Sequence, residues 1–172
     1  MKQELIDKYN VSVPRYTSYP PANFFRPFTG EEYLKEVDYS NEVREKNLSF
    51  YFHMPFCRRL CHYCGCNSYP MAKEERVAEY VQALHKEIDL VAAHLDKSRR
   101  ISQIHYGGGS PTAMPVSVLK ELNEHLLSLF STIEQPEIAI ECHPGYLTSK
   151  DWQGLLDARF NRFSLGIQDF NE

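Results

Sequence analysis

Between Glu74 and Leu95 the apolar residues Val77, Val81, Leu84, Ile88, Val91 and Leu95 recur at steps of four and three, which puts them on one face of a helix. A second helical stripe, Leu119, Leu122, Leu126 and Leu129, follows Pro115, a residue suited to starting a helix. Thr148 and Ser149 can cap a third, shorter helix ending near Ala158. Runs with strand preference lie around these stripes. "LSFYFHM" (48–54) is rich in aromatics and stops at Pro55, and "SQIHYGGG" (102–109) runs into three glycines. "EIAIEC" (137–142) and "NRFSLGIQ" (161–168) complete a set of four strands.

Strands and helices therefore alternate along the chain. Such an order predicts an α/β fold of parallel strands joined by helical crossovers, either as an open sheet or as a (β/α) barrel. In both arrangements ligands bind at the C-terminal edge of the strands. The loop after the first strand, "GGGSPT", "ECHPG" and "IQDFN" each fall at or just past such an edge, so four loops are expected to share one face. Residues 1–47 follow no such pattern. Pro14, Pro20, Pro21 and Pro27 break any long helix there, while the many tyrosines and phenylalanines argue for a packed segment. Two regions are expected: an irregular N-terminal segment, 1–47, packing near the active face, and the first part of a truncated barrel, 48–172. With no helix after its fourth strand, the chain reads as the front portion of a longer protein.

Length and composition, 172 residues with 42% hydrophobic, suit a folded domain with a sizeable core. A net charge of -4, from 19 basic and 23 acidic residues, provides no general basic field, so neither nucleic acid nor an anionic membrane is an expected partner. The first twenty residues are too polar for a signal peptide and no apolar run reaches spanning length, which makes the cytoplasm the expected address. That address changes the reading of the cysteines. Cys57, Cys61, Cys64 and Cys66, four of the five in the chain, fall within "FHMPFCRRLCHYCGCNSY" (52–69). In a reducing compartment, clustered thiols point to metal ligation or catalysis before disulfides.

Three thiolates on one loop can hold three irons of a cubic iron–sulfur cluster and leave the fourth iron open to another ligand. A structural zinc ion is the physical competitor, because four cysteines satisfy a tetrahedral site. Zinc sites usually draw on two separated pairs, whereas only Gly65 separates Cys64 from Cys66. The spacing favours the cluster and leaves a zinc-stabilised binding module as the alternative from another class.

Cys57, Cys61 and Cys64 match the signature of radical S-adenosylmethionine (SAM) enzymes, and "YFHMPFCRRLCHYCGCN" resembles the oxygen-independent coproporphyrinogen III oxidases of haem biosynthesis. "PRYTSYP" (14–20), "HYGGGSPT" (105–112) and "LGIQDFN" (165–171) match the same family in the same order. The resemblance implies a partial radical-SAM (β/α) barrel, with a 4Fe-4S cluster on Cys57, Cys61 and Cys64 and one or two molecules of SAM. By position, Tyr51, Gly108, Gly109, Ser110 and Glu141 would contact SAM, and Tyr63 and Gln168 a second SAM molecule. Cys66 has no ligand role in the family, and no catalytic side chain is assigned. His53 could tune the cluster or donate a hydrogen bond; a purely structural histidine is the competing reading. Arg15, Tyr16 and Tyr19 belong to a family segment near the active site, and "CHP" (142–144) departs from the "VDP" of some members, which leaves Cys142 and His143 without an inherited role.

The implied chemistry is reductive cleavage of SAM to methionine and a 5'-deoxyadenosyl radical, which abstracts hydrogen from substrate propionates. Two such rounds, with loss of carbon dioxide, convert coproporphyrinogen III to protoporphyrinogen IX. The implied partners are a porphyrinogen substrate and an electron donor such as flavodoxin or ferredoxin. A related haem-modifying enzyme or haem chaperone is the alternative within the class. The 172-residue chain alone is expected to bind a cluster without turning over.

Overall fold

The computed structural model describes residues 3–10, 22–42, 47–62 and 64–167. It divides into two units, residues 1–33 and 34–172. The first unit holds helix α1 (Gln3–Tyr9), a 3-10 turn (Ala22–Phe24) and the start of α2 (Gly30–Ser40), so this segment carries more helix than its pattern suggests. Thr29 explains where α2 begins. Its hydroxyl accepts from the Glu32 N–H (3.1 Å) while the Glu32 carboxylate accepts from the Thr29 N–H (2.9 Å), a reciprocal cap written in the sequence as T-x-x-E.

The second unit is built on four strands, β1 (Asn47–Met54), β4 (Arg100–Gly108), β5 (Thr132–Cys142) and β6 (Arg162–Leu165). They form one parallel sheet in the order β1-β4-β5-β6. Helices α3 (Glu74–His94), α4 (Val116–Leu129) and α5 (Ser149–Asp157) make the connections, in the alternating order the pattern predicts. Two short strands, β2 (Phe56–Cys57) and β3 (Tyr69–Pro70), pair as a separate ribbon that the sequence pattern does not announce. Strand β5 also starts well before its apolar run. A register irregularity between Ile101 and Gln103 lets Thr132 lie opposite Ile101 while Glu137 pairs with Gln103.

The two faces of the sheet differ because side chains alternate along each strand. Leu48, Phe52, Met54, Ile104, Tyr106, Ile138 and Ile140 are buried, and they form one core with Leu84 and Ile88 of α3 and Leu119, Leu122 and Leu126 of α4. The alternate positions Ser49, Tyr51, His53, Gln103, His105, Glu137 and Glu141 carry polar or ionisable groups on the other face.

One polar knot interrupts the core. The fully buried Tyr106 hydroxyl donates to Asn123 Oδ1 (2.9 Å), and Asn123 Nδ2 donates to the Ala158 carbonyl (2.9 Å), tying β4, α4 and the end of α5 together. Burial pushes the Tyr106 hydroxyl well above its ordinary pKa, so it stays a donor. Phe52 stacks on this ring at 4.7 Å and Phe160 meets it edge-on at 5.2 Å. Asn123→Ala strands a buried hydroxyl and removes a partner of the Ala158 carbonyl, and is expected to lower unfolding stability by about 3 kcal/mol in denaturant titrations. Tyr106→Phe should cost less, because the ring packing survives.

Candidate functional site

Polar rows cross the face of the sheet opposite the core in register. At the lower row, Glu137 accepts from Gln103 Nε2 (2.7 Å) and from Arg162 (2.7 Å). These hydrogen bonds, Gln103's first and Arg162's next, hold the Glu137 carboxyl below the usual carboxylate range. The next row pairs Tyr51 with His105, whose rings stack at 5.8 Å with an interplanar angle of 17°. His105 Nε2 lies 3.3 Å from Glu141 Oε1.

At the C-terminal edge the cysteine loop is closed at its base. Strand β2 pairs with β3, the Tyr69 N–H donates to the Pro55 carbonyl (2.7 Å), and the Met71 N–H donates to Cys57 O (2.8 Å). The glycine loop after β4 is stitched to the same base, with Gly109 N–H donating to Met54 O (2.8 Å) and Ser110 N–H to Phe56 O (3.1 Å). Gly108 sits at φ +117°, a conformation that favours glycine, and a side chain there would press on the His53 ring at 2.9 Å.

His53 joins the loop to the sheet from below. Its Nε2 lies 2.8 Å from the Asn67 carbonyl, which can only accept, so Nε2 carries the proton and Nδ1 accepts from the Tyr51 hydroxyl at 3.1 Å. Both ring nitrogens are therefore satisfied within the protein, as the structural reading of this histidine expects, and the hydrogen bond it donates goes to a loop carbonyl. Burial, then the charge of Glu141, raises the pKa of the Tyr51 hydroxyl, which keeps it a donor.

An open cleft of about 370 Å³ lies over this edge. That volume is within the range of small-molecule sites. Cys57, Cys61, Cys64, Cys66, Gly109, Ser110 and Glu141 all line it, together with Arg59, His143, Tyr146 and Ser164–Gly166. Three of the four loops expected to share a face thus open onto one cleft; the end of β6 before the fourth also lines it, while "IQDFN" contributes no lining residue and lies outside the described residues from Gln168 on. Tyr51 and Gly108 are not among the residues that line the cleft. Tyr63, Gln168, Arg15, Tyr16 and Tyr19 lie outside the described residues.

The thiols of the loop are not equivalent. Burial pushes the Cys57 thiol up. Cys64 is shifted down, chiefly by the Cys66 N–H and then the Cys66 thiol, and the same hydrogen bond shifts Cys66 up. Cys142 faces the core, and burial lifts its thiol to about 11, while His143 Nδ1 accepts from the Gly145 N–H (3.2 Å). The two do not act as a metal pair. Among the described residues no three His, Cys, Asp or Glu side chains are gathered around one point. The cysteines instead share a cleft wall, a donor set suited to a multi-iron group in which each thiolate binds its own iron.

Sequence reasoning passed over His105, Arg59 and Tyr146. The signal for His105 was available, since it stands two residues before Gly107 and so on the same face of β4. Tyr146 had none. Its ring stacks on His143 of the same turn at 3.9 Å and carries the guanidinium of Arg58, from the distant cysteine loop, at 4.8 Å.

A family model described as the radical SAM superfamily matches residues 51–172. The oxygen-independent coproporphyrinogen III oxidase of Synechocystis is 38% identical over 98% of this chain and 36% of its own length. The Escherichia coli protein of the same name is 40% identical over 98% of this chain and 36% of its own length. A solved structure of the Escherichia coli coproporphyrinogen III oxidase, described as a radical SAM enzyme, superimposes with a TM-score of 0.83 at 36% identity, covering 99% of this chain and 37% of that one. The chain spans about a third of the length of these relatives.

Proposed function

From the premise that this chain belongs to the radical SAM superfamily, we propose that it serves the oxygen-independent oxidative decarboxylation of coproporphyrinogen III to protoporphyrinogen IX, a step of haem biosynthesis. The observation that carries the reading is the convergence of Cys57, Cys61, Cys64, Gly109, Ser110 and Glu141 on one cleft at the C-terminal edge of a parallel sheet. The names of the full-length relatives support the substrate.

In this reading Cys57, Cys61 and Cys64 hold a 4Fe-4S cluster. Tyr51, Gly108, Gly109, Ser110 and Glu141 serve one SAM molecule, and Tyr63 and Gln168 a second. The cluster and SAM supply, when bound, the one-electron cleavage of a sulfonium carbon–sulfur bond. The chain's own contribution is placement. The glycine loop offers backbone polar groups at close approach, Glu141 offers a carboxylate suited to an ammonium or hydroxyl, and the Tyr51–His53–Asn67 chain holds the cysteine loop against β1. An electron donor of the flavodoxin or ferredoxin type is the proposed partner, and the cytoplasm, where thiols stay reduced, is the proposed compartment. No helix among the described residues is long and apolar enough to cross a membrane.

Anaerobic reconstitution with iron and sulfide is expected to give a brown protein with the absorbance and paramagnetic-resonance spectra of a 4Fe-4S cluster. Addition of a strong reductant and SAM should then release 5'-deoxyadenosine. A colourless protein that retains one tightly bound zinc ion contradicts the proposal.

A further inference from the structure

We propose that His105 is a positioning residue that, together with the missing side chain of Gly107, sets the Glu141 carboxylate and the Tyr51 ring as one unit for an ammonium or hydroxyl group of SAM. The inference rests on the function proposed above and names a residue that function does not need in order to be stated.

Three observations meet at this point. His105 Nε2 faces Glu141 Oε1 at 3.3 Å, and a carboxylate only accepts, so this nitrogen carries the proton and donates. The same imidazole stacks on Tyr51 at 5.8 Å and 17°. Between them, a Cβ built on Gly107 would lie 3.0 Å from Glu141 Oε1, 3.0 Å from Tyr51 Cε2 and 3.0 Å from the Tyr51 hydroxyl. Glycine at 107 therefore leaves the space in which the carboxylate and the phenol close on each other.

The register explains why His105 can reach both. It pairs with Tyr51 across β1 and with Ala139 across β5, and Ala139 is two residues before Glu141 on the same face of that strand. Alanine there leaves the imidazole room to lean toward the carboxylate. Glu141 lines the cleft, whereas His105 does not, so the histidine acts on a ligand only through its neighbours. A carboxylate with one oxygen held by a donor has fewer orientations to lose when its other oxygen meets a ligand.

Two substitutions separate the ring from the donor. His105→Phe keeps a ring to stack on Tyr51 but cannot donate to Glu141; His105→Gln keeps an N–H donor and loses the ring. With cluster-reconstituted protein, the Kd for SAM is expected to rise about tenfold in His105→Phe and to return to within about threefold of native in His105→Gln. The paramagnetic-resonance shift that SAM causes in the reduced cluster should follow the same order. Iron and sulfide content and thermal unfolding should match native in both, since neither substitution touches the core. In a Glu141→Gln background, where the charged acceptor is gone, His105→Phe should add less than about twofold.

Native affinity in His105→Phe overturns the proposal, as does an equal loss in both variants or a full tenfold loss in the Glu141→Gln background. If His105→Phe fails to fold, His105→Leu, which also lacks a donor, takes its place in the comparison. Native protein that takes up a cluster yet binds no SAM, or takes up none, is a separate result that defeats the proposed function itself.

Discussion

Replacing Cys57, Cys61 or Cys64 singly with alanine is expected to reduce reconstituted cluster to less than about a tenth of native, while Cys66→Ala retains most of it. All four thiols line the same cleft, so proximity alone would not separate them. Their spacing does, since Cys57, Cys61 and Cys64 match the radical SAM signature and Cys66 stands outside it. Cys66 donates through its N–H and its thiol toward Cys64, which lowers the Cys64 pKa and raises that of Cys66. Cys66 is thus the hydrogen-bond partner of Cys64, the thiol that the proposed function assigns to the cluster. Iron and sulfide analysis beside the visible spectrum after anaerobic reconstitution reads the difference. Equal loss in all four variants would mean a four-cysteine ion site, and the zinc-stabilised alternative would return.

Gly109→Ala is expected to weaken SAM binding by the reconstituted protein about tenfold or more, although the change adds a single methyl group. A Cβ at 109 would stand 2.8 Å from the Pro55 carbonyl oxygen, 2.9 Å from its carbon and 2.9 Å from Cys57 Sγ. Two of those atoms are backbone at the root of the cysteine loop and cannot rotate away. Either the glycine loop or the cysteine loop must shift, and the hydrogen bond from Gly109 N–H to Met54 O is the first to be strained. Gly65→Ala supplies the control, since nothing lies within 4 Å of a Cβ there and near-native binding is expected. Binding isotherms for the two variants, at matched iron content, measure the contrast. Native affinity in Gly109→Ala would show that the two loops are not held in register by this contact.

Much of the candidate site could be read along the chain because its parts are local. The cysteine spacing and the glycine run are each contained in one loop, and both follow segments whose strand character is plain. Glu141 was placed by the strand it ends. What escaped was set by residues far apart. Strand β2 exists only because Phe56 meets Tyr69 after the chain has returned around the cysteine loop, and two-residue strands leave no periodic trace. The early start of β5 depends on an irregularity in its pairing with β4, and no apolar alternation marks "TIEQP". Asn123, polar in the middle of an otherwise leucine-rich helical face, gave no sign that its partners would be a tyrosine of β4 and a carbonyl beyond α5.

By itself the sequence determined the alternation of strands and helices, the parallel class, and that the cysteine, glycine and "ECHPG" loops meet at the strands' C-terminal edge, because these follow from periods of two and 3.6 residues and from contiguous motifs. Only the tertiary structure decided what those loops and strands do to one another. It set His53 between Tyr51 and the Asn67 carbonyl, filled the space over Gly107 with Tyr51 and Glu141, brought His105 to the Glu141 carboxylate, and locked Gly109 against Cys57. Such contacts depend on strand register and on where a loop returns. Both are fixed by packing between segments tens of residues apart, which no short window of sequence contains.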